Sequence, residues 1–214
     1  MAYSRGTSSN IIVGAAALFT YDGGELTDAD LPDYEAEGTV GNTTGTYRET
    51  LDADAGFDNV GYTMNGLELA FQPDFGEVQV DQLLDVARLY KQGMTVNMNT
   101  AFAESTLENL LFALANKDED LNTVSGNPTM DMSAGDIGDV PLERGLVAVG
   151  PGSGSAAEAA NLERVYVAYR ALSIENVTVS AKRDEATMFE VSFRLLPNDD
   201  ANYGKIVDRT ITAP

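Results

Sequence analysis

From Met94 to Phe102 polar and apolar positions alternate, and the pattern then switches directly to a helical period. Val96, Met98 and Phe102 fall on one side of the alternation and Thr95, Asn97 and Asn99 on the other, as in a strand with one packed and one wet face. Ser105 and Glu108 have the spacing of a capping box, and Leu107, Leu110, Leu111 and Leu114 form an apolar stripe. Together they predict a helix over about 105–116 that shares a core with the strand. Upstream, residues 67–72 and 77–82 flank Pro73-Asp74-Phe75-Gly76 and predict a hairpin turning there. Phe71 would face Val78 and Leu69 would face Val80. On the polar side Gln72 would face Glu77, Ala70 would face Gln79, and Glu68 would face Asp81. Downstream, 142–149 and 164–174 read as strands separated by the flexible glycine-rich stretch 150–155. Residues 176–181 and 187–196 read as a hairpin around 182–186, pairing Val177 with Val191 and Val179 with Phe189 and burying Phe189, Val191, Phe193 and Leu195. Sheet dominates, and no repeat of fixed period is visible.

The apolar run 11–19 has the look of a signal-peptide core, but it follows a single basic residue, Arg5, and is far shorter than the ~20 residues of a spanning helix. It is read as a buried strand. Residues 21–61 lack a sustained apolar period and carry eleven Asp and Glu residues, seven glycines and one basic residue, Arg48. They are read as a long acidic surface loop inserted in one domain, mobile or functional. Within it, Asp52, Asp54 and Asp58 hint at a calcium loop. The glycine, Gly56, comes one place early, and Thr63 stands where a bidentate Glu is needed.

Charge narrows the function. Thirty-four carboxylates against 13 basic residues give a formal net charge of −21, which repels nucleic-acid backbone and anionic membrane. The four lysines, Lys91, Lys117, Lys182 and Lys205, are few beside the many aspartates, a balance similar to that of halophilic proteins. With no cysteine there is no disulfide framework and no thiolate metal site; with no histidine, the commonest general base and zinc ligand are missing. The serines lack a base partner. Asp118-Glu119-Asp120 lacks the glycine and distal Glu of a calcium loop, and Gly150 to Gly154 lacks the Lys-Ser/Thr ending of a P-loop. Lys182, Arg183 and Asp184 read as a solvated turn. The expectation is a protein that is not an enzyme, with no catalytic residue, cofactor or metal site.

Several pieces in order resemble a known family: Val13-Gly14-Ala15-Ala16-Ala17-Leu18, Val60-Gly61-Tyr62-Thr63 with Gly66-Leu67, the stretch 76–82, the strand-to-helix junction from Gly93 through Leu110, and Phe193 to Pro197 with Tyr203-Gly204. The chain resembles the major tail tube protein of long-tailed (siphovirus-like) phages and their archaeal counterparts over most of its length, 21–61 and the loop around Gly152 excepted. The resemblance implies a single domain over 1–214, a β-sandwich or barrel with one flanking helix. It implies homohexameric rings stacked into a tube that passes DNA without binding it, with tape-measure and terminator or baseplate proteins as partners and no membrane insertion. The location implied is the virion tail, assembled in the host cytoplasm. On this reading Glu68, Gln72, Glu77, Gln79, Asp81, Thr95, Asn97 and Asn99 line the channel. Asp22, Glu25, Asp28, Asp30, Asp33, Arg48, Asp52 and Asp54 belong to a loop that stacks successive rings. The alternative is a capsid-decorating or cell-surface β-rich module.

Overall fold

The computed structural model describes residues 12, 14–32, 34–35, 39–40, 45–82, 85–124, 126–132, 137–138, 141–152, 162–179, 183 and 187–211. The protein is mainly β. Its strands are β1 (Ala17–Tyr21), β2 (Tyr34–Glu35), β3 (Thr39–Val40), β4 (Phe57–Asn59), β5 (Thr63–Val78), β6 (Arg88–Phe102), β7 (Leu121–Val124), β8 (Asn127–Met130), β9 (Arg144–Pro151), β10 (Leu162–Ser173), β11 (Phe189–Leu196) and β12 (Gly204–Thr210). Among the described residues two short α-helices, α1 (Tyr47–Asp52) and α2 (Leu107–Ala113), interrupt them. An antiparallel sheet runs β4-β1-β9-β10-β11-β6-β5, and β12 also pairs with β10. The pairs β2–β3 and β7–β8 stand apart from it.

Strand β10 joins two sheet halves. Its first part, Leu162 to Ala168, pairs with β12, and its last part, Arg170 to Ser173, pairs with β11. The register against β9 shifts between Ala168 and Ala171. A bulge of this kind bends a strand, and here it curls the sheet into a sandwich. One core fills the inside: Leu18, Leu146, Ala148 and Ala168 from one half meet Val96, Met98, Phe102, Phe189, Val191, Phe193 and Leu195 from the other, and Phe112 and Ala113 of α2 close the end. The rings of Phe112 and Phe193 stack at 4.9 Å between centroids.

A second core lies on the opposite face of the first half. Phe19, Val147, Val149, Val165 and Val167 alternate with the inner residues and are covered by Leu26, Leu31, Tyr47, Leu51 and Phe57. This overturns the reading of 21–61 as a surface loop without core. The segment is tied down by polar contacts as well. Leu26 N donates to Tyr169 O at 2.8 Å and Gly145 N to Gly24 O at 2.7 Å. The buried Glu163 carboxylate accepts from Tyr47 N, at the start of α1, and from Arg209 Nη1. Gly145 has no side chain because Leu26 occupies the space a Cβ would take.

Three expected elements are corrected. Pro73-Asp74-Phe75-Gly76 is not a turn: β5 runs straight through it, Phe71 pairing with Val96, Gln72 with Thr95 and Glu77 with Leu89. Pro73 is tolerated because β5 lies at an edge of the sheet, where a missing N–H breaks no ladder. Helix α2 is capped by Thr106, whose Oγ1 accepts from Asn109 N at 3.1 Å, one residue past Ser105. Its buried face is Asn109, Leu111, Phe112 and Ala113, while Leu114 is exposed. Finally, β11 pairs with β10 and β6, not with 176–179, which form no strand. Residues 180–182 and 184–186 of that expected hairpin lie outside the described residues, as do Ile11 and Val13 of the first strand and 153–155 of the glycine-rich stretch.

Candidate functional site

The β11–β6–β5 half of the sheet has one face in the core and one turned away from it. Register fixes what the outer face carries. Thr95 pairs with Gln72, Asn97 with Ala70 and Asn99 with Glu68. On the other side Asn97 pairs with Arg194, Asn99 with Ser192 and Ala101 with Glu190. Paired residues point the same way, so Glu68, Gln72, Thr95, Asn97 and Asn99 converge on one polar surface three strands wide. Ser192 Oγ donates to Asn99 Oδ1 at 2.8 Å. Asn97 Oδ1 is buried with no hydrogen-bond partner among the described residues. At the base of this face Glu68, Glu175 and Glu190 surround a shallow hollow of about 280 Å³. Sequence reasoning missed Glu190, Ser192 and Arg194, although their alternation with Phe189, Val191, Phe193 and Leu195 marks them as the outer side of β11.

Three of the expected channel residues fall elsewhere. Strand alternation puts Glu77 on the side of Phe71 and Phe75, opposite to Glu68 and Gln72. Gln79 and Asp81 follow the end of β5, in the connection to β6.

The outer part of the β5–β6 hairpin leaves the body as an arm. Beyond the pair Phe71–Val96 most residues of both strands are exposed, and the register shifts by one residue between Asp74 and Phe75. Phe71, Phe75, Val78, Leu89 and Tyr90 stay uncovered on it, Phe75 by 53% and Leu89 by 58%.

The acidic segment is braced within the chain. Asp22 pairs with the nearly buried Arg144 at 3.1 Å. Asp28 pairs with Lys205 and accepts from Tyr169 Oη at 2.9 Å. Asp30 caps its short turn by accepting from Thr27 N at 2.9 Å; burial raises its pKa, but the Thr27 hydrogen bonds outweigh that and hold the carboxyl below its ordinary range. Arg48 and Asp52 form a pair one turn apart along α1, Asp52 accepts from Asn59, and Asp54 accepts from Gly56 N. The calcium reading thus finds Asp52 and Asp54 committed to local bonds. Glu25 lines an acidic hollow with Asp28, Asp199 and Asp200. Asp33 lies outside the described residues.

A cleft of about 370 Å³ opens between α2 and the β1–β4 edge. Val60, Leu111, Phe112 and Leu121 form its apolar part, and Asp22, Asp58, Glu104 and Glu108 its acidic rim. Asn109 fixes its geometry: the buried amide donates to Val60 O at 2.9 Å and to Glu104 O at 3.0 Å, pinning α2 to the β4–β5 link. Among the described residues no cluster of three or more acidic side chains has the arrangement of a metal site, and no helix is long and apolar enough to cross a membrane. The chain matches no protein-family model and no curated protein sequence.

Proposed function

We propose that the chain is a structural virion protein, a tail-tube subunit that closes into hexameric rings and stacks them into a hollow tube for viral DNA. The observation that carries this reading is the polar face of β11–β6–β5, which ends at the open edge of β5. A conduit wall needs a broad, rigid surface that holds water and offers phosphate few cations. Glu68, Gln72, Thr95, Asn97 and Asn99 supply such a surface, with the exposed Glu190 and a single cation, Arg194, beside them. In a molecule of net charge −21 the long-range field also opposes adhesion of DNA. An exposed strand of sixteen residues is a template for pairing, and joining it to a neighbouring copy removes the edge. On this reading the role is structural, not catalytic, the partners are further copies together with tape-measure and terminator or baseplate proteins, and the tube assembles in the host cytoplasm.

Light scattering with negative-stain microscopy of the purified chain, across concentration and salt, tests the proposal. Rings and hollow tubes are expected. A monomer or trimer under every condition sinks it and favours the decorating module.

A further inference from the structure

We propose that the β5–β6 arm of one copy seats in the cleft between α2 and the β1–β4 edge of the next copy. This rests on the ring-and-tube reading but makes a separate claim about which surfaces meet. The arm's apolar side is the core face of the sheet carried past the body. Leu69 and Met98, a pair on that face, pack in the core, and the next positions outward, Phe71, Pro73 and Phe75 on β5 and Leu89 on β6, are bare. A ribbon of this character is uncommon on a monomer and marks a contact surface.

The cleft complements it in two ways. Its floor is apolar, with Leu121 partly exposed beside the buried Val60, Leu111 and Phe112, and offers a side chain of the arm an apolar seat. Its rim is acidic, and the rim's cation, Arg144, is already held by Asp22. The arm's apolar face carries one cation, Lys91 beside Phe75, and one carboxylate, Glu77 beside Leu89; Arg88, paired with Val78, sits at the tip on the opposite face. Neither cation forms an ion pair with a carboxylate among the described residues. Asp58 and Glu108, exposed on the rim, are the partners that fit Lys91.

Arm and cleft are different patches, so the contact is head-to-tail and propagates into a ring or a filament instead of closing as a pair. Eight residues from Phe71 to Val78 at about 3.3 Å each make an arm about 25 Å long and two strands wide, about 250 Å² per face. That is well under the ~800 Å² per partner of a stable complex, so one contact alone is weak and ring closure is what makes it persist.

The chain has no cysteine, so an introduced pair is unambiguous. In the full chain carrying both Glu77→Cys on the arm and Glu108→Cys on the rim, mild oxidation should give a disulfide ladder of dimer, trimer and higher species, ending at the ring number. Each single variant should give at most dimers. Lys91→Glu should lower the assembled fraction at least tenfold, and adding Glu108→Lys should restore it, a rescue that a misfolded variant cannot show. Tubes without a ladder, or a double variant that stops at dimers, overturn the contact and leave the conduit reading standing. A ladder without hollow tubes keeps the contact and removes the conduit. Neither ladder nor tubes removes both.

Discussion

Deleting residues 23–56 should abolish folding, and the magnitude follows from what that segment covers. Leu26, Leu31, Tyr47 and Leu51 are each no more than 2% exposed. Burying one such side chain is worth about 1.5–3 kcal/mol, so the four together contribute about 6–12 kcal/mol. Their loss also bares Phe19, Val147, Val149, Val165 and Val167, which face them across the second core. A domain's whole stability is about 5–15 kcal/mol, so no folded population should survive. The point version is Leu51→Ala at a fully buried site, which should cost about 2–5 kcal/mol. At about 2–4 °C per kcal/mol for a chain of this size, the melting temperature falls by about 4–20 °C. The assay is urea unfolding followed by far-UV circular dichroism, in the Lys91→Glu background so that assembly does not add stability by mass action. A deletion variant that unfolds cooperatively with the parent's midpoint and slope would refute the reasoning. So would a Leu51→Ala cost below about 0.5 kcal/mol, the range of ordinary surface changes.

Other outcomes follow from single contacts. Arg164 holds Asp208 with two hydrogen bonds, at 2.5 and 2.7 Å, and keeps its carboxyl below the ordinary range. A depressed folded pKa gives stability that is present above the ordinary value near 3.9 and lost as pH falls through the folded one, so Asp208→Asn should destabilise at pH 7 and flatten the acid limb of a melting-temperature series. Asp208 is half exposed, which limits the effect to about 1 kcal/mol. Asn109→Ala leaves Val60 O and Glu104 O without their donor and should cost about 1–3 kcal/mol in denaturant unfolding. Raising salt from 0.1 to 1 M shortens the screening length from about 10 to about 3 Å, so repulsion between copies of charge −21 should fade and the assembled fraction rise in light scattering. A melting temperature that rises in the same series marks a halophilic subunit; tubes that dissociate instead show that exposed ion pairs outweigh the repulsion.

The packed strands were legible because their side chains alternate strictly. Val96, Met98 and Phe102, and Phe189, Val191, Phe193 and Leu195, all lie in the core as the period of two requires. The second core was harder to see, since Leu26, Leu31, Tyr47 and Leu51 are too widely spaced for any periodic window to collect them. A local signal was present: Thr46 and Glu49 form a capping box, with Thr46 Oγ1 accepting from Glu49 N, and Tyr47 and Leu51 follow at helical spacing. Acidic composition masked it. The hairpin was misplaced for a different reason. Pro-Asp-Phe-Gly has the local chemistry of a turn, but pairing with β6 from Glu68 to Val78 offers many more ladder bonds than a tight turn would, and long-range contact overrides local preference.

That correction bears on function, because strand pairing decides which residues share a face. With a turn at Pro73, Glu68, Gln72, Glu77, Gln79 and Asp81 would sit together, and the hairpin would be short and polar on one side. With β5 and β6 paired throughout, Glu68 and Gln72 join Thr95, Asn97 and Asn99 on one surface, while Glu77 moves to the other beside Phe75 and Leu89. The same two strands then present different characters to the two sides, polar around Glu68, Gln72, Thr95, Asn97 and Asn99 on one, and apolar with Lys91 and Glu77 on the other. A slip of one residue would exchange them. The irregularity between Asp74 and Phe75 takes up the extra residue, Gln92, so that Phe75 and Leu89 stay on the apolar side. Register is therefore the property on which both proposed surfaces depend, and the bulge near Gln92 is what preserves it along the arm.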